Sequence, residues 1–123
     1  MTQTELRERV NGWVESNHAD WDIVNQVDAL LARLSMFDDG NDHRKYMFLT
    51  WDEENDDNKN PTVIPMNARV HYVATHGPVR VVLPADNTPV INAPTSTMIF
   101  RTTYKAEESL IVKGDVGFII ADI

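Results

Sequence analysis

The spacing of apolar residues changes once along this 123-residue chain, which limits it to a helical front and a strand-rich back. Leu6, Val10 and Trp13, then Val24, Val27, Leu31 and Leu34, recur at intervals of three and four, the period of one helix face. Thr2-Gln3-Thr4-Glu5 has the spacing of a capping box and places the first helix start there. A heptad carried unbroken through the middle would put Asn17 and Asp20 at core positions. Two polar core residues in succession make a poor seam and favour a break near Ser16-Asn17-His18. A second helix then runs from about Trp21 to Leu34, capped by Asp20 or Asn17. The alternative is one long helix in which Asn17 sets the register of an oligomer.

After Ser35 the period shortens. Phe37-Asp38-Asp39-Gly40-Asn41-Asp42 has turn composition, Tyr46 to Trp51 reads as a strand, and Asp52 to Asn60 is an acidic loop closed by Pro61. Arg69 to Thr75 alternates, with Val70, Tyr72 and Ala74 on one face and His71 toward solvent. Gly77-Pro78 punctuates; Val79, Val81 and Leu83 then point inward; residues 85–89 form a turn. Met98 to Tyr104 is a further strand, and Leu110–Val112 and Phe118–Ile120 flank Lys113-Gly114-Asp115 as a hairpin. The expected fold is α+β: a helical segment over 1–36, then an antiparallel β-sandwich or small barrel of about six or seven strands over 37–123. The two form one compact unit, for which 123 residues suffice. The run Gly117 to Ile123, apolar on both faces, predicts a central strand or one covered by a neighbouring subunit.

Charge divides the chain at the same place. Residues 1–60 hold 14 Asp and Glu against six Lys and Arg, while 61–123 hold five of each, so the net charge of −8 belongs to the first half. An acidic chain does not displace counterions from phosphates, which argues against nucleic-acid binding. A helix-turn-helix reading fails for the same reason, because the second helix carries Asp22 and Asp28 against Arg33 alone. No apolar run approaches the roughly 20 residues needed to span a bilayer. MTQTELRERV lacks the apolar stretch of a secretory signal, and the absence of cysteine fits a reducing cytoplasm or an assembled particle.

The motifs of familiar chemistries are missing. There is no cysteine nucleophile and no G-x-S-x-G elbow around Ser16, Ser35, Ser96 or Ser109. The five glycines show no Walker or Rossmann spacing, so no cofactor is implied. His18, His43, His71 and His76 do not have zinc-ligand spacing. The acidic runs at 38–42 and 52–58 offer oxygen ligands but do not match the EF-hand frame, and they read as solvated loops.

With these classes set aside, the expected role is that of a non-enzymatic structural or assembly protein. An amphipathic N-terminal segment ahead of a compact β-domain resembles, in general plan, bacteriophage capsid decoration (cement) proteins and head or tail fibre domains. That resemblance implies a virion-associated protein assembled in the host cytoplasm, a homo-oligomer such as a trimer, and a capsid or shell protein as partner. The expected inter-chain contacts are Leu6, Val10, Trp13, Val24, Val27, Leu31 and Leu34 with Phe118, Ile120 and Ile123 of the terminal strand. One alternative is an acidic inhibitor imitating nucleic-acid charge through Asp38, Asp39, Asp42, Asp52, Glu53, Glu54, Asp56 and Asp57. Another is a small-ligand-binding β-barrel with Tyr72, Phe100 and Tyr104 in its pocket.

Overall fold

A computed structural model describes residues 1–36, 45–52, 61–93, 97–101 and 104–123, with side chains omitted at 36 and 97–101. The class is α+β: helices α1 (Gln3–Ser16) and α2 (Asp22–Met36) precede strands β1 (Tyr46–Trp51), β2 (Thr62–Ile64), β3 (Arg69–Val82), β4 (Pro89–Ala93), β5 (Thr97–Arg101) and β6 (Leu110–Asp122). The chain divides into two compact units, Met1–Met47 and Phe48–Ile123.

In the first unit the break expected near Asn17 is present. Thr2 caps α1 through a reciprocal box with Glu5, and Asn17 ends it by donating its side-chain amide to the Trp13 carbonyl at 2.9 Å. Asp20 supplies the turn into α2, its carboxylate accepting the Asp22 backbone N–H at 2.9 Å. The helices run antiparallel. Gln3 reaches the Leu31 carbonyl and the Ser35 hydroxyl, and one turn on Arg7 pairs with Asp28 at 3.0 Å. Leu6, Val10, Trp13, Val27, Leu31 and Leu34 are buried, as are Val14, Ile23 and Leu30. Trp21, immediately before α2, is by contrast 57% exposed.

The second unit is organised by two long antiparallel strands. β3 pairs with β6 from Arg69↔Asp122 to Val82↔Ile111, and the sheet order is β1-β6-β3-β4, with β2 added to β6 and β5 to β3. On the far side of β3, β5 pairs with Tyr72–His76 and β4 with Val79–Val82. β6 is thus central, and Phe118, Ile119, Ile120 and Ala121 are wholly buried. Phe48, Phe118 and Tyr72 form an aromatic row, with ring centroids 5.0 and 5.9 Å apart. A turn at 84–88 joins β3 to β4, with Asn87 in the left-handed region that asparagine tolerates. Thr88 donates to the Asp86 carboxylate, first through its backbone N–H, and holds that exposed group below its ordinary pKa. Strand β4 had no counterpart in the sequence expectations.

Two expected breaks lie inside strands. Gly77-Pro78 does not end β3; the pair forms a bulge, because the register steps from His76↔Val116 to Val79↔Gly114 and leaves Asp115 opposite both. Gly77 takes φ +86°, and a bulge demands no ladder N–H of Pro78. Lys113-Gly114-Asp115 is likewise no hairpin turn, since β6 runs through it to Asp122. Glycine is needed there for packing. A Cβ at Gly117 would lie 2.4 Å from the Trp51 ring and 2.5 Å from the Ala74 carbonyl, and one at Gly114 would lie 2.9 Å from the Pro78 carbonyl.

A Cβ at Gly12, by contrast, meets nothing within 4 Å. Gly117→Ala is expected to cost about 1–3 kcal/mol in urea unfolding through overpacking. Gly12→Ala, by the same measurement, is expected to gain up to about 1 kcal/mol.

Candidate partner groove

The bulge shapes the surface beside it. Arg80 stands directly across from Lys113 on β6 and from Asn92 on β4, so the three residues form one row on a single face of three adjacent strands. Val79 and Val81, on the opposite face, are buried, which orients Arg80 outward. Pro78, Val79, Gly114 and Asp115 complete the lining of an open groove of about 480 Å³. Two like charges directly opposite one another disfavour the pairing of their strands. Among the described residues neither cation has an ion-pair partner, because the ion pairs found there are Arg7–Asp28 and His71–Asp122. Asp115, at the bulge, supplies the one carboxylate in the lining. On the same face, one register step further along β6, Val63 of β2 stands across from Ile111, the first exposed and the second half-buried. The row therefore offers hydrogen-bond donors and positive charge beside a small apolar strip. Such a face suits a carboxylate-bearing partner.

The other polar feature is internal. His71 was expected to face solvent; it is buried, with Nε2 2.9 Å from the Asp122 carboxylate, itself buried. A second irregularity lies there: the register passes from Val70↔Ala121 to Tyr72↔Ile120 and leaves His71 as the extra residue. Both faces of this stretch of β3 are covered, since Val70, Tyr72 and Val73 are wholly buried and Thr75 nearly so. Among the described residues no three His, Asp or Glu side chains converge as a metal site requires.

Of the ten residues expected at inter-chain contacts, Leu6, Val10, Trp13, Val27, Leu31, Leu34, Phe118 and Ile120 are buried within the single chain. The stripe that marked them out packs into the chain's own core. Val24 is half-buried and Ile123 is 59% exposed. Of the acidic set, Asp52 is described and exposed, whereas Asp38, Asp39, Asp42, Glu53, Glu54, Asp56 and Asp57 lie outside the described residues. Of the pocket candidates, Tyr72 belongs to the buried aromatic row, Tyr104 is half-buried, and the Phe100 side chain is outside the described set. Arg80, Asn92 and Lys113 carried no sequence signal of their own. Reading Gly77-Pro78 and Lys113-Gly114-Asp115 as facing irregularities of two long strands would have brought them together.

No protein-family model, curated protein or solved structure shows significant similarity to this chain.

Removing His71 takes from the buried Asp122 carboxylate one of its partners. His71→Ala is expected to lower stability by about 1–3 kcal/mol in chemical denaturation. The double variant His71→Phe/Asp122→Leu, which removes both polar groups, is expected to recover most of that loss.

Proposed function

We propose that this chain is a non-enzymatic assembly protein that docks a protein partner through the Arg80–Lys113 groove. The observation that carries the reading is the pair itself: two cations across adjacent strands, in an open groove, with no carboxylate paired to them among the described residues. Folding alone favours a neutral or opposite charge at one of these positions. A pair that strains the free protein is relieved when a carboxylate of a partner inserts between the two cations. Val63 and Ile111 extend the same face with apolar surface, which gives the contact a part that salt does not screen.

Within that class we assign the protein to virion assembly, as a capsid decoration or fibre component. It would form homo-oligomers such as trimers, built in the host cytoplasm, and bind a shell protein. The support for this finer assignment is the plan of the chain, an amphipathic helical hairpin ahead of a β-body. No described helix is long and apolar enough to cross a membrane.

Lys113→Glu separates binding from folding. Opposite Arg80, the glutamate turns a repulsive pair into an attractive one, so thermal or urea unfolding is expected to show a stability gain of about 0.2–1 kcal/mol. The same substitution is expected to weaken binding of a fluorescein-labelled oligoglutamate peptide at least tenfold, with wild-type binding falling as salt rises. Equal peptide binding by Lys113→Glu and wild type, measured by anisotropy, would overturn the docking reading.

A further inference from the structure

The groove asks for a partner element that combines carboxylates with an apolar group able to lie against the exposed Pro78 between two cations. This same chain carries one. At the turn between α1 and α2, Trp21 is 57% exposed and stands between Asp20 and Asp22, both exposed. None of Glu15, Asp20 and Asp22 has an ion-pair partner among the described residues. Glu15 also sits in the last turn of α1, which contains no basic residue, so its charge opposes the negative end of the helix dipole. Glu15 thus carries a locally unfavourable charge, whereas Asp20 and Asp22 sit at the start of α2, where the helix dipole favours them, with their carboxylates exposed. An indole flanked by carboxylates is the chemical complement of a groove that offers a guanidinium, an ammonium and an apolar wall. Tryptophan and arginine are also the residues that most often anchor protein interfaces.

We infer that the groove of one copy receives the Trp21 turn of a second copy, so that the protein assembles head to tail. The inference rests on the docking reading above and adds to it the identity of the partner. Asp20 and Asp22 pair with Arg80 and Lys113, and the Trp21 ring lies on the exposed Pro78 with its face toward a cation. Asp115 disfavours the incoming carboxylates at its own edge of the groove and so directs them toward Arg80 and Lys113. Both copies carry −8 overall, but at physiological salt the Debye length is about 8 Å, so distant like charges are screened and the local contact decides. Donor and acceptor surfaces differ, so the contact is heterologous. It closes into a ring if the rotation between copies permits, and otherwise extends as a chain.

Sedimentation equilibrium on the full chain tests this. The wild type is expected to self-associate at high micromolar concentration, with dissociation at least tenfold weaker in Trp21→Ala, in Asp20→Lys/Asp22→Lys and in Arg80→Glu/Lys113→Glu. The last variant also keeps a like-charge pair but adds it beside Asp115, so circular dichroism and thermal unfolding check the folding of all three. Mixing the turn-reversed variant with the groove-reversed one leaves a single mutated pairing of opposite sign and a single native pairing. Head-to-tail recognition therefore predicts that the mixture associates in equal proportions, alternating the two variants, where neither component associates alone. Uniting all four substitutions in one chain is expected to restore self-association. A wild type that stays monomeric, or turn variants that associate as the wild type does, would overturn the inference. If the turn variants behave as wild type while oligoglutamate binding still depends on Lys113, self-recognition fails and the docking reading stands.

Discussion

Everything in the strand-rich unit depends on the pairing of β3 with β6. These are the two long strands, and each of the other four is short and hydrogen-bonded to one of them. Their pairing is not uniform. Opposed irregularities at Gly77-Pro78 and Asp115 divide it into a stretch where nearly every side chain is buried and a stretch with one dry and one wet face. The buried stretch holds the aromatic row and the His71–Asp122 pair. The other stretch carries the groove. A two-residue bulge thus separates the part of the ladder that stabilises the fold from the part available to a partner.

The electrostatics follow a similar division. Arg7–Asp28 and the Asp20 cap place charge where local structure favours it. Arg80 with Lys113, and Glu15 at a helix C-terminus, place charge where local structure disfavours it. Sequences that fold well tend to agree with themselves at every level, and local disagreement concentrates where selection acts on something other than stability. For this reason the unfavourable pairs, and not the −8 total, direct attention to particular surfaces. The total separates broad classes of partner; the pairs name residues.

Much of the front half was legible because its signals are local. A capping box at Thr2–Glu5, a polar interruption at Asn17 and Asp20, and the apolar run Tyr46–Trp51 each depend on neighbours within a few residues. The centrality of the last strand was legible too, since a strand apolar on both faces must be covered on both. Errors arose where a residue's meaning is set across the sheet. Gly77-Pro78 reads as a break unless Asp115 is known to oppose it. Gly114 reads as a turn until Trp51 and the Pro78 carbonyl are found against it. His71 looked solvent-facing because alternation suggested one wet face, and here both faces of β3 are covered. The candidate groove was invisible because the register that aligns Arg80 with Lys113 exists only if both supposed turns are strand.

The placement of β6 also bears on how the sheet comes into being. Its partners β1, β2 and β3 all precede it in the chain, and among the described residues no ladder pairs β1 or β2 with a strand that comes before it. Until β6 is available, those segments have ladder edges with nothing to complete them, and β3 can recruit only β4 and β5. Assembly therefore waits on contacts between residues some fifty positions apart, such as Arg69 with Asp122. Loop closure on that scale slows folding and prolongs the time that apolar strands stand unpaired. A chain arranged in this way is most exposed to wrong pairing before β6 docks.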